Sequence, residues 1–256
     1  MNIINEFGYR QDGRKPDQIR NIVYKMGVIP EADGSVYFEQ GKLKVICAVY
    51  GPHECRHRAR INEEACVINA QYSVATFAMP ERRARPRGDR RGNKYARLIE
   101  RAFEQVILTE LYARSQIDIF CELLEADGGA LAACVSAASL ALADAGVPMR
   151  GLLAGTECGS VDGVPCVDMS AREHAEYVPR LTIATTGRCR MCVLGGRDEI
   201  VLIDMKNVLN AARLPDLLGV GVAACAQVHA CLETAVLNSI KEAYRIGGAR
   251  DATAGG

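Results

Sequence analysis

The stretch Glu125–Met149, EADGGALAACVSAASLALADAGVPM, decides how this chain is read. It is entered through Gln116–Leu124, where Ile117, Ile119, Cys121 and Leu123 alternate with Asp118, Phe120 and Glu122, the period-two pattern of a half-buried strand. The strand delivers the chain to Asp127-Gly128-Gly129, and two glycines there permit a sharp turn. From Ala130 onward the residues are small and apolar, as in a core helix. The first amides of such a helix have no partner within it and lie at the positive end of its dipole, so the turn reads as a ready anion site. A plain strand-to-helix turn carries the same glycine signature, and glycines alone do not separate the two.

With 256 residues, the chain is expected to form one large domain or two fused half-domains with ample core. Basic and acidic side chains number 31 each, so any binding of nucleic acid has to come from segregated charge and not from a net basic field. Eleven cysteines sit mostly in apolar runs, such as that around Cys47 and the segment of Cys225 and Cys231. They read as small buried hydrophobes in a reducing compartment. Cys189 and Cys192 form a CxxC, with Cys158, Cys166 and His174 upstream, but RCRMCVL reads as a strand and no second tight pair closes a tetrahedron. No metal is therefore expected. Glu6, Arg10 and Asp12 argue against a signal peptide, and Ser136, Ser139 and Asp144 mark Ala130–Val147 as a core helix and not a membrane span.

The organisation is that of two related halves. A hairpin over Ser35–Tyr50 turning at Gly41, a strand over Ala65–Thr76 and a helical segment over Lys94–Tyr112 precede the strand and core helix. The second half opens with a hairpin over Cys158–Met169 turning at Asp162-Gly163, followed by strands at Leu181–Thr186, Arg188–Leu194 and Glu199–Met205. A long helix starts at Pro215 and Asp216 and is expected to run to about Ile246. Strands precede a helix in both halves, so a duplicated α+β unit, with mixed sheets packed against helices, is the simplest account. The expected division is 1–246, in halves of roughly 1–150 and 151–246, with 247–256 a disordered tail.

Charge is most segregated in Glu81–Arg91, ERRARPRGDRR, which places six arginines in the ten residues from Arg82. Pro86 and Gly88 oppose a regular helix there, so the run reads as a basic loop feeding a helix. Guanidinium clusters bind phosphates in a bidentate fork without reading base sequence; a solvated basic loop or an import signal has the same composition.

The segment from Asp127, DGG-x-x-A-A-x-x-x-A-A-x-x-A-L-A-D-A-G-V-P-M, resembles the signature of the RNase PH family, and within it the RNase PH-like subunits of the exosome ring. The opening YRQDGRKPDQIR, Tyr9–Arg20, is similar to that family's R-x-D-G-R segment, and together the resemblances span nearly residues 8–246. The resemblance implies an RNase PH-like fold, no cofactor, and RNA-backbone contacts in a central channel from Arg90 and Arg91.

Phosphorolytic members follow the glycine pair with Ser or Thr and then Arg. Here Gly128 and Gly129 are followed by Ala130 and Leu131, so a charge-assisted phosphate contact of roughly 1.5–3 kcal/mol cannot form. Active members also carry D-L-N-x-x-E-D and, six residues later, a catalytic aspartate. This chain reads Asp168-Met169-Ser170-Ala171-Arg172-Glu173-His174, and the acid position falls on Arg180, which stays protonated near neutral pH. Asp168 and Glu173 serve equally as acid–base partners or as braces of the hairpin, the second being the commoner use.

The resemblance thus implies a non-catalytic, RNA-channel-lining subunit of the exosome ring supporting 3′-to-5′ RNA processing and degradation. The alternative is an active phosphate-dependent 3′-to-5′ exoribonuclease. Implied partners are RNA, sister RNase PH-like ring subunits, S1/KH-type cap proteins and a hydrolytic exonuclease, with no membrane. The implied location is the nucleus, including the nucleolus, and the cytoplasm.

Overall fold

Alternating apolar and polar side chains build a first sheet from the N-terminal half. In a computed structural model it comprises β1 (Ile22–Met26), β2 (Gly34–Gln40), β3 (Leu43–Glu54), β4 (Val67–Val74) and β5 (Ser115–Glu125), in the order β1-β2-β3-β5-β4. The structure describes residues 8–55, 61–82, 89–161, 163–174, 178–187 and 199–254, with 243–254 as backbone only. All strand pairs of this sheet are antiparallel except β4 with β5. On β2, Val36 and Phe38 are fully buried and pair with Cys47 and Val45 of β3, so the inward faces of both strands enter one core. The short β1 was not expected, since IVYKM carries no turn signal of its own and is held on one side only, by β2.

α1 (Arg90–Val106) connects β4 to β5 and buries Ile99, Ala102, Phe103 and Val106, three or four residues apart on one face. The helical segment expected to run on to Tyr112 stops earlier. Ile107 turns extended and bridges Met149, and Thr109–Tyr112 form a separate 3₁₀ turn, because pairing with the chain after the core helix outcompetes another helical turn.

α2 (Ala130–Asp144) is the centre of the molecule. Every residue from Leu131 to Leu142 is buried, as an all-round apolar helix requires. One side packs on β2 and β3 and the other on β6 (Leu153–Val161). Its two serines accept from the β6 backbone, Ser139 Oγ from Leu153 N at 2.8 Å and Ser136 Oγ from Gly155 N at 3.0 Å. Gly155 is required at that contact: a Cβ there would lie 2.8 Å from the Ala132 carbonyl oxygen.

β6, β7 (Val164–Val167), β8 (Arg180–Thr186) and β9 (Glu199–Lys206) form a four-stranded antiparallel sheet in the order β7-β6-β8-β9. The strand expected at Arg188–Leu194, with Cys189 and Cys192, lies outside the described residues, as does Asp162 of the hairpin turn. α3 (Leu214–Ala254) covers this sheet with Leu217, Ala224 and Cys225, packed on Cys158, Leu181 and Ile183. By length and composition alone, Ala211–Glu242 could cross a bilayer; in the fold one face of it is spent on the sheet. The helix also runs through most of the segment expected to be a disordered tail. Once a long helix is nucleated, each added residue gains a hydrogen bond, and Ala249, Arg250, Ala252 and Ala254 favour continuation.

The close approach of α2 and β6 generates a stability prediction. Gly155→Ala should destabilise the fold by about 1–3 kcal/mol through overpacking against Ala132. Ser136→Ala should cost a similar ~1–3 kcal/mol by leaving the buried Gly155 amide unpaired. Urea unfolding of both variants checks this, and wild-type midpoints would contradict the packing described.

Candidate functional site

The Asp127-Gly128-Gly129 turn is held where β5 ends and α2 begins, and it faces the second sheet. Both glycines adopt left-handed backbone, φ 79° and 66°, and a side chain on Gly128 would collide with the Met169 carbonyl oxygen. The turn is present, and the amide of its second glycine, the N-cap of α2, is already engaged. Gly129 N donates to Glu157 Oε2 at 2.5 Å, so a carboxylate from β6 already sits at the helix start.

Arg20 fastens the turn from the other side. Its Nη1 donates to the Asp127 carbonyl at 2.6 Å and to Asp127 Oδ2 at 3.0 Å. Its backbone N and Nε donate to Asp168 Oδ2 at 2.7 and 2.9 Å, and its Nη2 to Asp168 Oδ1 at 2.6 Å. Burial would lower the Arg20 pKa, but Asp168 and then Asp127 hold it above its ordinary value. Asp168 itself has φ 52°, a conformation that asparagine and aspartate tolerate better than most residues.

A second buried pair lies beside the first. Arg10 Nε donates to Glu173 Oε1 at 2.7 Å, its Nη2 contacts Glu173 Oε2, and its Nη1 and Nη2 reach the Val167 and Asp168 carbonyls at 2.5 and 3.0 Å. Glu173 also closes a capping box, accepting from Ser170 N at 2.8 Å and Ser170 Oγ at 3.0 Å. Burial pushes the Glu173 carboxyl up, yet Arg10 and Ser170 bring it below the ordinary range. Asp168 and Glu173 are thus consumed in bracing the hairpin to the N-terminal segment. The bracing use is the one observed.

Strand register gathers the remaining charged groups. Glu157 and Gly159 point to one face of β6; Gly159 pairs with Arg180 of β8, which pairs with Lys206 of β9, so Glu157, Arg180 and Lys206 share that face. His174 Nε2 lies 3.4 Å from Glu157 Oε2, without hydrogen-bond alignment. Burial pushes Glu157 up, but His174, then Lys206 and Arg180, hold it below the ordinary carboxylate range. Arg180 Nε is buried and has no hydrogen-bond partner among the described residues.

The second turn of α1 closes over the same face. Lys94 Nζ pairs with Asp204 Oδ1 of β9 at 2.7 Å, and Lys206 Nζ donates to Tyr95 Oη at 2.5 Å. Arg90 and Arg91 lie one turn earlier on that side of the helix, exposed, with Asp89 capping through Arg91 N. Among the described residues neither is paired with a carboxylate. Arg83, Arg85 and Arg87 lie outside the described residues. Beyond the turn, a cleft is lined by Lys42, Lys44, Phe77, Pro80 and Asp127, with Phe77 exposed. Ala130 and Leu131, the positions where the resemblance expects a hydroxyl and a guanidinium, supply neither, and Leu131 is packed into the core cluster.

The sequence model of the 3′ exoribonuclease (RNase PH) family, domain 1, matches residues 18–148, which hold Arg20, Arg90, Arg91 and the glycine turn. The chain belongs to this family. A Caenorhabditis elegans protein provisionally named exosome complex component RRP41 is 48% identical over 94% of this chain and 97% of its own length. The human exosome complex component RRP41 is 41% identical over 95% of this chain and 96% of its own. The Methanopyrus kandleri exosome complex component Rrp41 is 45% identical over 65% of this chain and 69% of its own. In fold, the chain is similar to rice Rrp46, with a TM-score of 0.76 at 20% identity over 89% of this chain and all of that one. It is also similar to a chain of the Archaeoglobus fulgidus exosome solved with RNA in the active site, with a TM-score of 0.72 at 21% identity over 87% and 92%.

Within this RNase PH fold, Glu157, Arg20 and Lys206 are site residues to which sequence reasoning assigned no role. Glu157 had one legible signal, a lone carboxylate in the otherwise uncharged strand Leu153–Val161. The Arg10–Glu173 pair yields a prediction. Arg10→Met should destabilise the fold at neutral pH by about 3–5 kcal/mol, since it strands a buried carboxylate. Glu173 is depressed in the folded state, so its stabilisation is present above the unfolded value near 4.3 and lost as pH falls through the lower folded value. The gap between variant and wild type should therefore shrink below about pH 4. Unfolding free energies measured across pH test both parts.

Proposed function

We propose that this chain is a non-catalytic, RNA-channel-lining ring subunit of the RNA exosome, supporting 3′-to-5′ RNA processing and degradation. One observation carries the reading: the position expected for the catalytic acid holds Arg180, beside a buried Glu157 that already sits on the glycine turn. An arginine does not donate its proton near neutral pH, and general acid assistance is worth about 10²–10⁴ in rate. Ala130 and Leu131 supply neither hydroxyl nor charge to a phosphate. Exosome membership is supported by the names of relatives that match almost end to end, in human and nematode alike.

In this reading, Arg90 and Arg91 touch the RNA backbone, and their exposure at the start of α1, free of carboxylate partners among the described residues, supports that role. The other members of the assembly are sister RNase PH-like ring subunits, S1/KH-type cap proteins and a hydrolytic exonuclease. The assembly works in the nucleus, including the nucleolus, and in the cytoplasm.

In a ring reconstituted with its sister subunits, changing Arg90 and Arg91 to Ala should weaken RNA binding without sequence preference. The slope of log affinity against log salt should fall by roughly 1.4, about 0.7 for each lost phosphate contact on a single strand. An unchanged slope would place both arginines outside the RNA path. The unmodified ring, given RNA and phosphate, should release no nucleoside diphosphates. Phosphate-dependent diphosphate release from a nuclease-free preparation would establish the alternative, an active phosphorolytic exoribonuclease.

A further inference from the structure

We propose that Glu157 is a built-in anion: its carboxylate occupies the place on the Gly129 amide that a free phosphate would need, and so closes the glycine turn to inorganic phosphate. The proposal rests on the non-catalytic reading above and adds to it the residue that blocks the turn.

Geometry carries the argument. Glu157 Oε2 accepts from Gly129 N at 2.5 Å, and a Cβ built on Gly129 would lie 3.7 Å from the same oxygen and from Arg20 Nη2. The carboxylate therefore sits at the turn itself, with the Arg20 guanidinium equally near the Gly129 position. His174 approaches that oxygen to 3.4 Å, and Arg180 and Lys206 share its face of the sheet. Arg180 and Lys206 give one anion a cationic surround, with His174 beside it. The Glu157 side chain is 5% exposed and fills the role from within.

A phosphate oxygen bonded to Gly129 N would have to stand within about 3 Å of that nitrogen, on top of Glu157 Oε2 and beside its negative charge. Held on a strand, the carboxylate also competes intramolecularly, without the entropic cost of capturing a free ion. The like-charge contact and the tethering act in the same direction. Restoring a hydroxyl at Ala130 would therefore not be enough to recover phosphate binding while Glu157 remains.

The test uses the full chain and inorganic phosphate, titrated by calorimetry and by 31P NMR, with a melting transition recorded for every variant. Leu131 is left alone, because it is packed in the core. Wild type and Ala130→Ser should show no saturable binding up to about 20 mM phosphate. Ala130→Ser with Glu157→Ser should bind saturably in the millimolar range, at least about tenfold tighter. Glu157→Gln in the same background, keeping the shape and removing the charge, should fall between. Saturable binding by Ala130→Ser with Glu157 intact, or no gain in a folded Glu157→Ser variant, would overturn the proposal. Should the serine variant fail to fold, the glutamine variant carries the comparison; should both fail, Ala130→Ser with Glu157 in place decides alone. Diphosphate release by the unmodified ring would sink the non-catalytic reading, whereas equal phosphate binding with and without Glu157 sinks this inference only.

Discussion

Arg20 ties the two halves of the molecule together. A single guanidinium and its own backbone amide engage Asp168 on the second hairpin and Asp127 at the end of β5, all of it largely shielded from water. Buried charges are tolerated only when paired and fully hydrogen-bonded, so the N-terminal segment, the glycine turn and the hairpin have to meet in one arrangement. Arg10 and Glu173 repeat the same logic a few residues away. These clamps fix where the start of α2 lies relative to β6. The position of the Glu157 carboxylate depends on that placement.

The site that results is a glycine turn at a helix start with charged side chains gathered around it. Left-handed glycines, a helix start and several cations remain. Asp168 and Glu173, the carboxylates nearest the turn on the second hairpin, are engaged as braces. What is left exposed is the start of α1, with Arg90 and Arg91 directed to solvent near the face that carries Arg180 and Lys206. Such a surface suits backbone contacts that are independent of base sequence.

Much of the fold was legible because it rests on periodicity. Period two announced β2, β3, β5 and most of the second sheet; the unbroken run of small residues announced a helix buried on every side; and the double glycine announced the turn. The errors came at the ends of elements and at the one-sided strand β1. α1 gave way at Ile107 to a bridge with Met149, and α3 continued past Ile246. In both cases the outcome was set by neighbours or by helix already formed, neither of which a local window contains.

The sequence by itself determined the family and placed Ala130, Leu131 and Arg180 where they stand, because each of these is a matter of residue type along the chain. Only the tertiary structure decided what the surviving charged residues do. Asp168 and Glu173 became braces, because Arg20 and Arg10, more than 140 residues earlier, fold back onto them. Glu157 reached the glycine turn because α2 packs against β6 through Gly155 and the two serines, which places a strand residue at the mouth of a helix 28 positions before it. Contacts of that span follow from how layers stack, and spacing along the chain carries no record of them.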